Sequence, residues 1–290
     1  MKVERISKNI AKFTTDKSES KVAILSDLHW DNPHCNRELL KAHLDYCLEH
    51  DIPVFINGDM FCLMQGKGDR RGNKSDVRPE HAFNNYFDSI VKTAVEWFEP
   101  YAHIIKLIGY GNHETSIIKH QETDIIARFV DLLNYKAGSN IQTGGYGGWI
   151  WFNYQNNNMV KSLKMKYFHG SGGGGVVTKG AINLTRALAM YEAEIFTMGH
   201  IHENSARTDA KEVLSLKKGI CEVKHQYIHS MITGTYKDEY GDGSSGWHIE
   251  RGAPVKILGG RILTLNFSRK RINNIRKLTC LVDSHQFPIS

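Results

Sequence analysis

The sequence predicts an α/β protein in which two mixed β-sheets pack face to face with helices on the outside, an αββα sandwich. Three observations point there. The first half of the chain alternates short apolar runs with helical patterns, the signature of βαβ units. After Gly144 the texture changes to alternating segments that pair like hairpins. The chain has 290 residues, 41% of them hydrophobic and 23% charged, enough to build one large core.

In order along the chain, residues 1–20 form a polar leader without an apolar stretch. KVAILS at 21–26 reads as a buried strand. A helical pattern at about 37–49, with Leu40, Leu44 and Leu48 at helical spacing, leads to a second strand, IPVFIN, at 52–57. The polar stretch QGKGDRRGNKSDVRPE at 65–80 interrupts the alternation before a helix at about 81–98 and a third strand, HIIKLIGY, at 103–110. A helix near 123–133 completes this half. WIWFNY and VKSLKMKYF then pair across the turn QNNN. The link GSGGGG at 170–175 precedes a helix at about 181–191 and the strand EIFTM at 194–198. The C-terminal third is strand-like, with hairpin signals at LKKGI (216–220) and KILGGRIL (256–263). A single domain is expected over 21–268, followed by a basic C-terminal segment at 269–290.

Bulk properties narrow the function. Lys plus Arg number 37 against 31 Asp plus Glu, a surplus of 6 that favours a polyanionic partner such as DNA or RNA. The five cysteines are scattered without C-x-x-C spacing, which argues against a disulfide framework or a thiolate zinc site and for a reducing compartment. No apolar run approaches the length that spans a bilayer, so no membrane partner is expected. The expected location is the cytoplasm, and a phage or viral protein acting in host cytoplasm would read the same way.

The polar residues that end the apolar runs carry the chemistry. SDLHW supplies Asp27 and His29, NGDMF supplies Asp59, and YGNHETS supplies Asn112 and His113. FHG supplies His169, and FTMGHIHEN supplies His200 and His202. Five successive runs finish in Asp, Asn or His, and α/β sheets bind ligands beyond the carboxyl ends of their strands. His200 and His202 are two positions apart, so on extended backbone both imidazoles would face one spot. Carboxylate, amide oxygen and imidazole together suit Mn, Fe, Zn or Ni. Seven such groups exceed the needs of one ion, and a shared carboxylate lets two ions sit ~3.5–4 Å apart.

The ordered series D-x-H, G-D, G-N-H-E, H and G-H-x-H resembles the calcineurin-like metallophosphoesterase superfamily, over Asp27 to His202. The resemblance implies the metallophosphoesterase fold and two divalent transition-metal ions, Mn first, with Fe, Zn or Ni as alternatives. It further implies that Asp27, His29 and His202 hold one ion, that Asn112, His169 and His200 hold the other, and that Asp59 bridges them. A metal-bridging hydroxide would attack the phosphoester, and His113 would protonate the leaving oxygen. One departure stands out: many members carry G-D-x-x-D, and here the second acidic place is Cys62.

Other residues have weaker claims. Glu114 is expected to support its neighbours rather than react. The GSGGGG link could offer backbone N–H groups to a phosphate or be a plain connector. Lys67, Arg70, Arg71, Lys74 and Arg78 could track a phosphate backbone or sit on a solvated insertion. Arg269, Lys270, Arg271, Arg276 and Lys277 read as a solvated basic face. His34 and His81 lie near motifs and fit none. The leading functional expectation is a phosphodiesterase or nuclease acting on nucleic acid or nucleotide diesters. The alternative is a phosphomonoesterase of the protein Ser/Thr or nucleotide type, although the Asp-Arg-Gly run usual in the former is missing after G-D. A non-catalytic scaffold on the same fold is the third reading, against which the full ligand set argues.

Overall fold

Strands that are apolar at every position need cover on both faces, and the fold supplies it. The computed structural model describes every residue except 64–76, 158, 218, 242, 245–246, 251, 273–274 and 289–290. Its first half contains β1 (Lys2–Ser7), β2 (Ile10–Thr15), β3 (Glu19–Leu25), α1 (Arg37–Glu49), β4 (Val54–Ile56), α2 (Tyr86–Phe98), β5 (Ile105–Ile108), α3 (Asn112–Gln121), α4 (Ile125–Ala137) and β6 (Gln142–Thr143). The second half contains β7 (Gly147–Asn156), β8 (Met159–Phe168), α5 (Ala181–Met190), β9 (Ile195–Met198), β10 (Ser205–Lys217), β11 (Ile220–Ile232), β12 (Arg261–Ile272) and β13 (Ile275–Gln286).

Two mixed sheets result, one of six strands in the order β13-β12-β3-β4-β5-β6 and one of seven in the order β1-β2-β7-β8-β9-β11-β10. Alternation along β3 sends Val22 and Ile24 into the layer between the sheets, where Phe13, Phe152, Met165, Ile195, Leu263 and Leu265 meet them. Ala23 and Leu25 point the other way, into the layer shared with Leu40 and Leu44 of α1, Ile90 and Phe98 of α2 and Phe129 of α4. On the far side, Leu184 and Ala187 of α5 pack on Phe196, Met198 and Ile232. Helices thus flank a pair of packed sheets, as the sequence pattern predicts.

Several local expectations shift. The face of α1 runs through Leu40, His43, Leu44 and Cys47, while Leu48 is exposed. The helix expected from about 81 starts at Tyr86, after a short 3₁₀ turn at Pro79–His81. The polar leader is a hairpin: β1 pairs with β2, β2 joins β7, and Phe13 is fully buried. KILGGRIL is no hairpin. A Cβ on Gly260 would lie 2.4 Å from Leu25 Cδ2 and 2.5 Å from the Ile24 carbonyl oxygen, so the glycine allows a close approach to β3, with which β12 then pairs. The hairpin in this region lies further on, where β12 and β13 pair from Arg261↔Gln286 to Ile272↔Ile275, so the described strand residues of the basic segment continue the sheet. Arg269 is exposed, and the side chains of Lys270, Arg271, Arg276 and Lys277 lie outside the described residues. Among the described residues no helix is long and apolar enough to cross a membrane.

Candidate metal centre

The carboxyl ends of β3, β4, β5, β8, β9 and β11 converge on one rim, and backbone hydrogen bonds lash the segments that leave them. Asp27 N donates to the Gly58 carbonyl (3.1 Å), Gly199 N to that of His169 (2.8 Å), and Tyr236 N to that of Asp27 (3.0 Å). At these exits five candidate ligands have left-handed backbone: φ is 53° at Asp27, 46° at His29, 47° at Asp59, 69° at His200 and 54° at His202. Such conformations are uncommon for residues with a Cβ, and clusters of them mark sites whose surroundings impose the geometry.

His200 and His202 are not on extended backbone: β9 ends at Met198 and both sit on left-handed turns, so they join separate groups, in the division that the resemblance implies. Asp27, His29 and His202 have potential ligand atoms within 4.8 Å of one another, and so do Asp59, His169 and His200. Asn112 joins the second group: its Oδ1 lies 2.7 Å from His200 Nδ1 and 3.3 Å from His169 Nε2.

Asp59 belongs to the second group and also acts on the first. Its Oδ2 is 3.1 Å from His169 Nε2 and 3.9 Å from His113 Nε2, and its charge also acts on His29. Burial opposes its ionisation, yet His169, His113 and His29 together hold it well below the usual carboxylate range. Burial likewise opposes charge on His169, but the Asp59 and Asp27 carboxylates prevail and raise it to about 10. Burial, aided by His113, pushes His29 well below the ordinary imidazole value, and burial with His169 lowers His200, so both favour the neutral form that binds metals.

The surroundings hold these groups in place. His169 Nδ1 donates to the Asn57 carbonyl (2.8 Å), which leaves Nε2 facing Asp59. Ser26 Oγ donates to Asp27 Oδ2 (2.5 Å) and sits 2.6 Å from Thr233 Oγ1. Glu114 is fully used: it accepts from the backbone N–H groups of Asp59 (3.1 Å), Phe61 (2.9 Å) and Gly111 (2.8 Å), tying the β4 exit to the start of α3. Burial and the Asp59 charge push its carboxyl up to about 8. A Cβ at Gly111 would lie 2.0 Å from Asp59 Oδ1, so only glycine fits there.

His113 is the second residue of α3, a helix the sequence pattern did not predict. Its backbone N–H donates to Asp59 Oδ1 (3.0 Å), its Nδ1 donates to the Cys62 carbonyl, and its ring meets His29 edge-on at 4.9 Å. Cys62 is buried beside them; its thiol, pushed up to about 12 by burial and by Asp31, receives a hydrogen bond from Asn32 Nδ2 (3.4 Å). The departure from G-D-x-x-D therefore places a neutral thiol at the edge of the first group, where His29, Cys62 and His113 also come within 4.8 Å.

Two residues at the rim escaped sequence reasoning. Glu239 Oε2 lies 3.9 Å from His202 Nδ1, and Lys237 pairs with Glu239 at 2.5 Å. They follow β11, and no spacing motif marks them. Arg78 donates to the carbonyls of Asn32 (2.9 Å) and Cys35 (3.1 Å), which makes it a loop anchor. Lys67, Arg70, Arg71 and Lys74 lie outside the described residues. His81 is buried, with Nε2 2.8 Å from Thr93 Oγ1.

The donor set fits two transition-metal ions. Both ring nitrogens of His29 are buried without a hydrogen-bond partner, which a coordinated cation would explain, and the groups offer nitrogen and oxygen in the mixture such ions prefer.

The family profile of the calcineurin-like phosphoesterases matches residues 20–204, more than half of the chain, and the protein belongs to that family. Its members are in general metal-dependent phosphoester hydrolases. Among solved structures, the anchor in the inner membrane complex of Plasmodium is similar at 10% identity with a TM-score of 0.43, over 94% of this chain and 90% of that one. A Thermotoga maritima protein solved by NMR is similar at 11% identity with a TM-score of 0.33, over 90% of this chain and 98% of that one. No curated protein matches the sequence.

Proposed function

We propose that the protein is a dinuclear-metal phosphodiesterase acting on nucleic acid or nucleotide diesters. The observation that carries the reading is the pair of ligand groups, Asp27, His29 and His202 beside Asp59, His169 and His200, with Asn112 on the second and Asp59 acting also on the first. In this reading Asp27, His29 and His202 hold one ion, Asn112, His169 and His200 the other, and Asp59 both. When bound, the ions supply an activated water and neutralise charge on the phosphoryl oxygens. Mn is the preferred metal, with Fe, Zn or Ni as alternatives.

His113 does the proton work. Its Nδ1 is committed to the Cys62 carbonyl, so Nε2, 3.9 Å from Asp59 Oδ2, is the atom that can donate to the leaving oxygen. Glu114 fixes the backbone of Asp59 and Gly111 and keeps the ligand and the acid in register. A net charge of +6 supports a polyanionic substrate.

The test is a screen of the metal-reconstituted protein against single- and double-stranded DNA, RNA, cyclic dinucleotides and phosphomonoesters. Turnover of diesters with little on monoesters supports the reading. Faster turnover of monoesters makes the protein a phosphatase, and tight metal binding without any turnover makes it a scaffold.

A further inference from the structure

The outer face of the seven-stranded sheet is covered by α5 over β9 and β11, over β10, where Arg207 bonds to Thr185 and Lys211 to the Leu188 carbonyl, and over the end of β8 at Phe168. The outward side chains of β2, β7 and the body of β8 lie outside that cover. Strand alternation settles which side chains stand on it, because Phe13, Ile150, Phe152 and Met165 point inward to the other sheet. Lys12, Trp149, Trp151 and Lys166 therefore face outward, and the register sets Lys12 opposite Trp151 and Lys166 opposite Trp149. Lys12 Nζ lies 4.5 Å from the Trp151 ring centre. Lys166 Nζ lies 5.2 Å from that of Trp149 and 4.8 Å from that of Tyr191, just beyond α5.

Charge on this face is unbalanced in a useful way. Glu4, across from Lys12, is engaged by Lys2 at 2.6 Å, and Glu192 by Lys164 at 2.6 Å. Among the described residues neither Lys12 nor Lys166 has an ion-pair partner within 4.0 Å. Trp151 is held by its Nε1, which donates to Ser162 Oγ at 3.0 Å. Two tryptophans and a tyrosine, each beside an ammonium that rests on its ring, form an alternating aromatic and cationic surface, with the Lys12 charge also reaching Glu4.

We propose that this open face is a docking platform for single-stranded nucleic acid, the indoles taking unpaired bases and Lys12 and Lys166 the phosphates, an inference that rests on the reading of the site as a nucleic-acid phosphodiesterase. A lysine resting on a ring can swing to a phosphate as a base takes its place, so cation and ring serve one nucleotide together. A duplex hides the faces of its bases, which is why the single strand is the ligand that fits. The platform leads to the metal centre: β8 carries Lys166 and ends at Phe168, and His169 follows, about 10 Å from Lys166 at strand rise.

The experiment is fluorescence anisotropy of a labelled phosphorothioate oligo(dT), which resists cleavage, with the metal-reconstituted protein across a salt series. Trp151→Ala should weaken binding roughly tenfold and Trp151→Phe should restore most of it. Lys12→Gln with Lys166→Gln should flatten the slope of log K on log salt by about 1.4, close to 0.7 per phosphate contact. Melting curves confirm that each variant is folded, and hydrolysis of a small chromogenic diester should match the parent. Wild-type affinity in folded Trp151→Ala, equal affinity for duplex, tighter binding to anionic vesicles than to oligo(dT), or equal losses on heparin would each overturn the platform. Variants that cleave single strands with an unchanged KM would sink it while leaving the phosphodiesterase reading intact. Ring-dependent binding of oligo(dT) without cleavage under any metal would do the reverse.

Discussion

In the proposed two-metal site, Asp59 is the residue on which both ligand groups depend. It lies 3.1 Å from His169 and its charge reaches His29, so on that reading its loss would weaken two coordination spheres, whereas loss of Asn112 would weaken one. Asp59→Asn should therefore purify with little of either ion, and Asn112→Ala with about one of two; elemental analysis of both variants decides, and two tightly held ions in Asp59→Asn would break the assignment. In the proposed mechanism His113 makes a separable contribution. A nitrophenolate leaves without a proton and a sugar alkoxide does not, and general acid catalysis is worth about 10²–10⁴-fold where it is needed. His113→Ala should keep both ions, lose little rate on a nitrophenyl diester and fall by about that factor on a natural ester. Equal losses on both substrates with falling metal content would instead make the residue a prop for Asn112, its neighbour at the start of α3.

Elements differ in how far their residues disclosed them. β4 and the Val22–Leu25 half of β3 are short apolar runs buried on both faces, so composition alone marks them. α3 was missed because Glu114 and Ile117 are its only buried residues, and the buried carboxylate breaks the apolar stripe. β1 and β2 were missed because their polarity is real: β2 alternates Ala11 and Phe13 inward with Ile10, Lys12 and Thr14 outward, a pattern too short to stand out in a charged leader. That hairpin belongs to the core. Phe13 packs edge-on against Phe152 at 5.6 Å, and Phe13→Ala should cost about 3–5 kcal/mol of unfolding free energy. Urea denaturation measures it, and a loss below about 1 kcal/mol would mean that the hairpin is dispensable.

At the scale of the whole molecule the two sheets are joined by polar as well as apolar contacts. His229 of β11 is buried, with Nε2 2.8 Å from Ser284 Oγ on β13 of the other sheet and Nδ1 3.1 Å from Thr208 Oγ1. Burial lowers its pKa, with Arg261 adding to the effect and Asp283 opposing it. Below the unfolded-state value of about 6.5 the unfolded chain binds a proton that the folded chain resists. The stability is thus intact above that pH and is lost as pH falls toward the folded-state value. His229→Gln should melt with a shallower loss of Tm between about pH 7 and pH 5 than the parent. Identical slopes would show that His229 titrates alike in both states.

By itself the sequence singled out the candidate ligands and their order, because Asp, Asn and His at the ends of successive apolar runs, and the ordered motifs they form, are local features. It also determined the fold class, since alternation and apolar runs are properties of neighbouring residues. The resemblance to a family implied how those residues are shared out, and only the tertiary structure shows the geometry that does it. His200 and His202 part company because left-handed turns at the end of β9 rotate them toward different strands, and no spacing rule for extended backbone predicts that. Glu239 and Lys237 reach the rim only because β11 runs parallel to β9 and ends beside it. Distances between segments some two hundred residues apart, such as the 2.6 Å from Ser26 to Thr233, are set by how two sheets stack, and stacking is a property of the assembled chain.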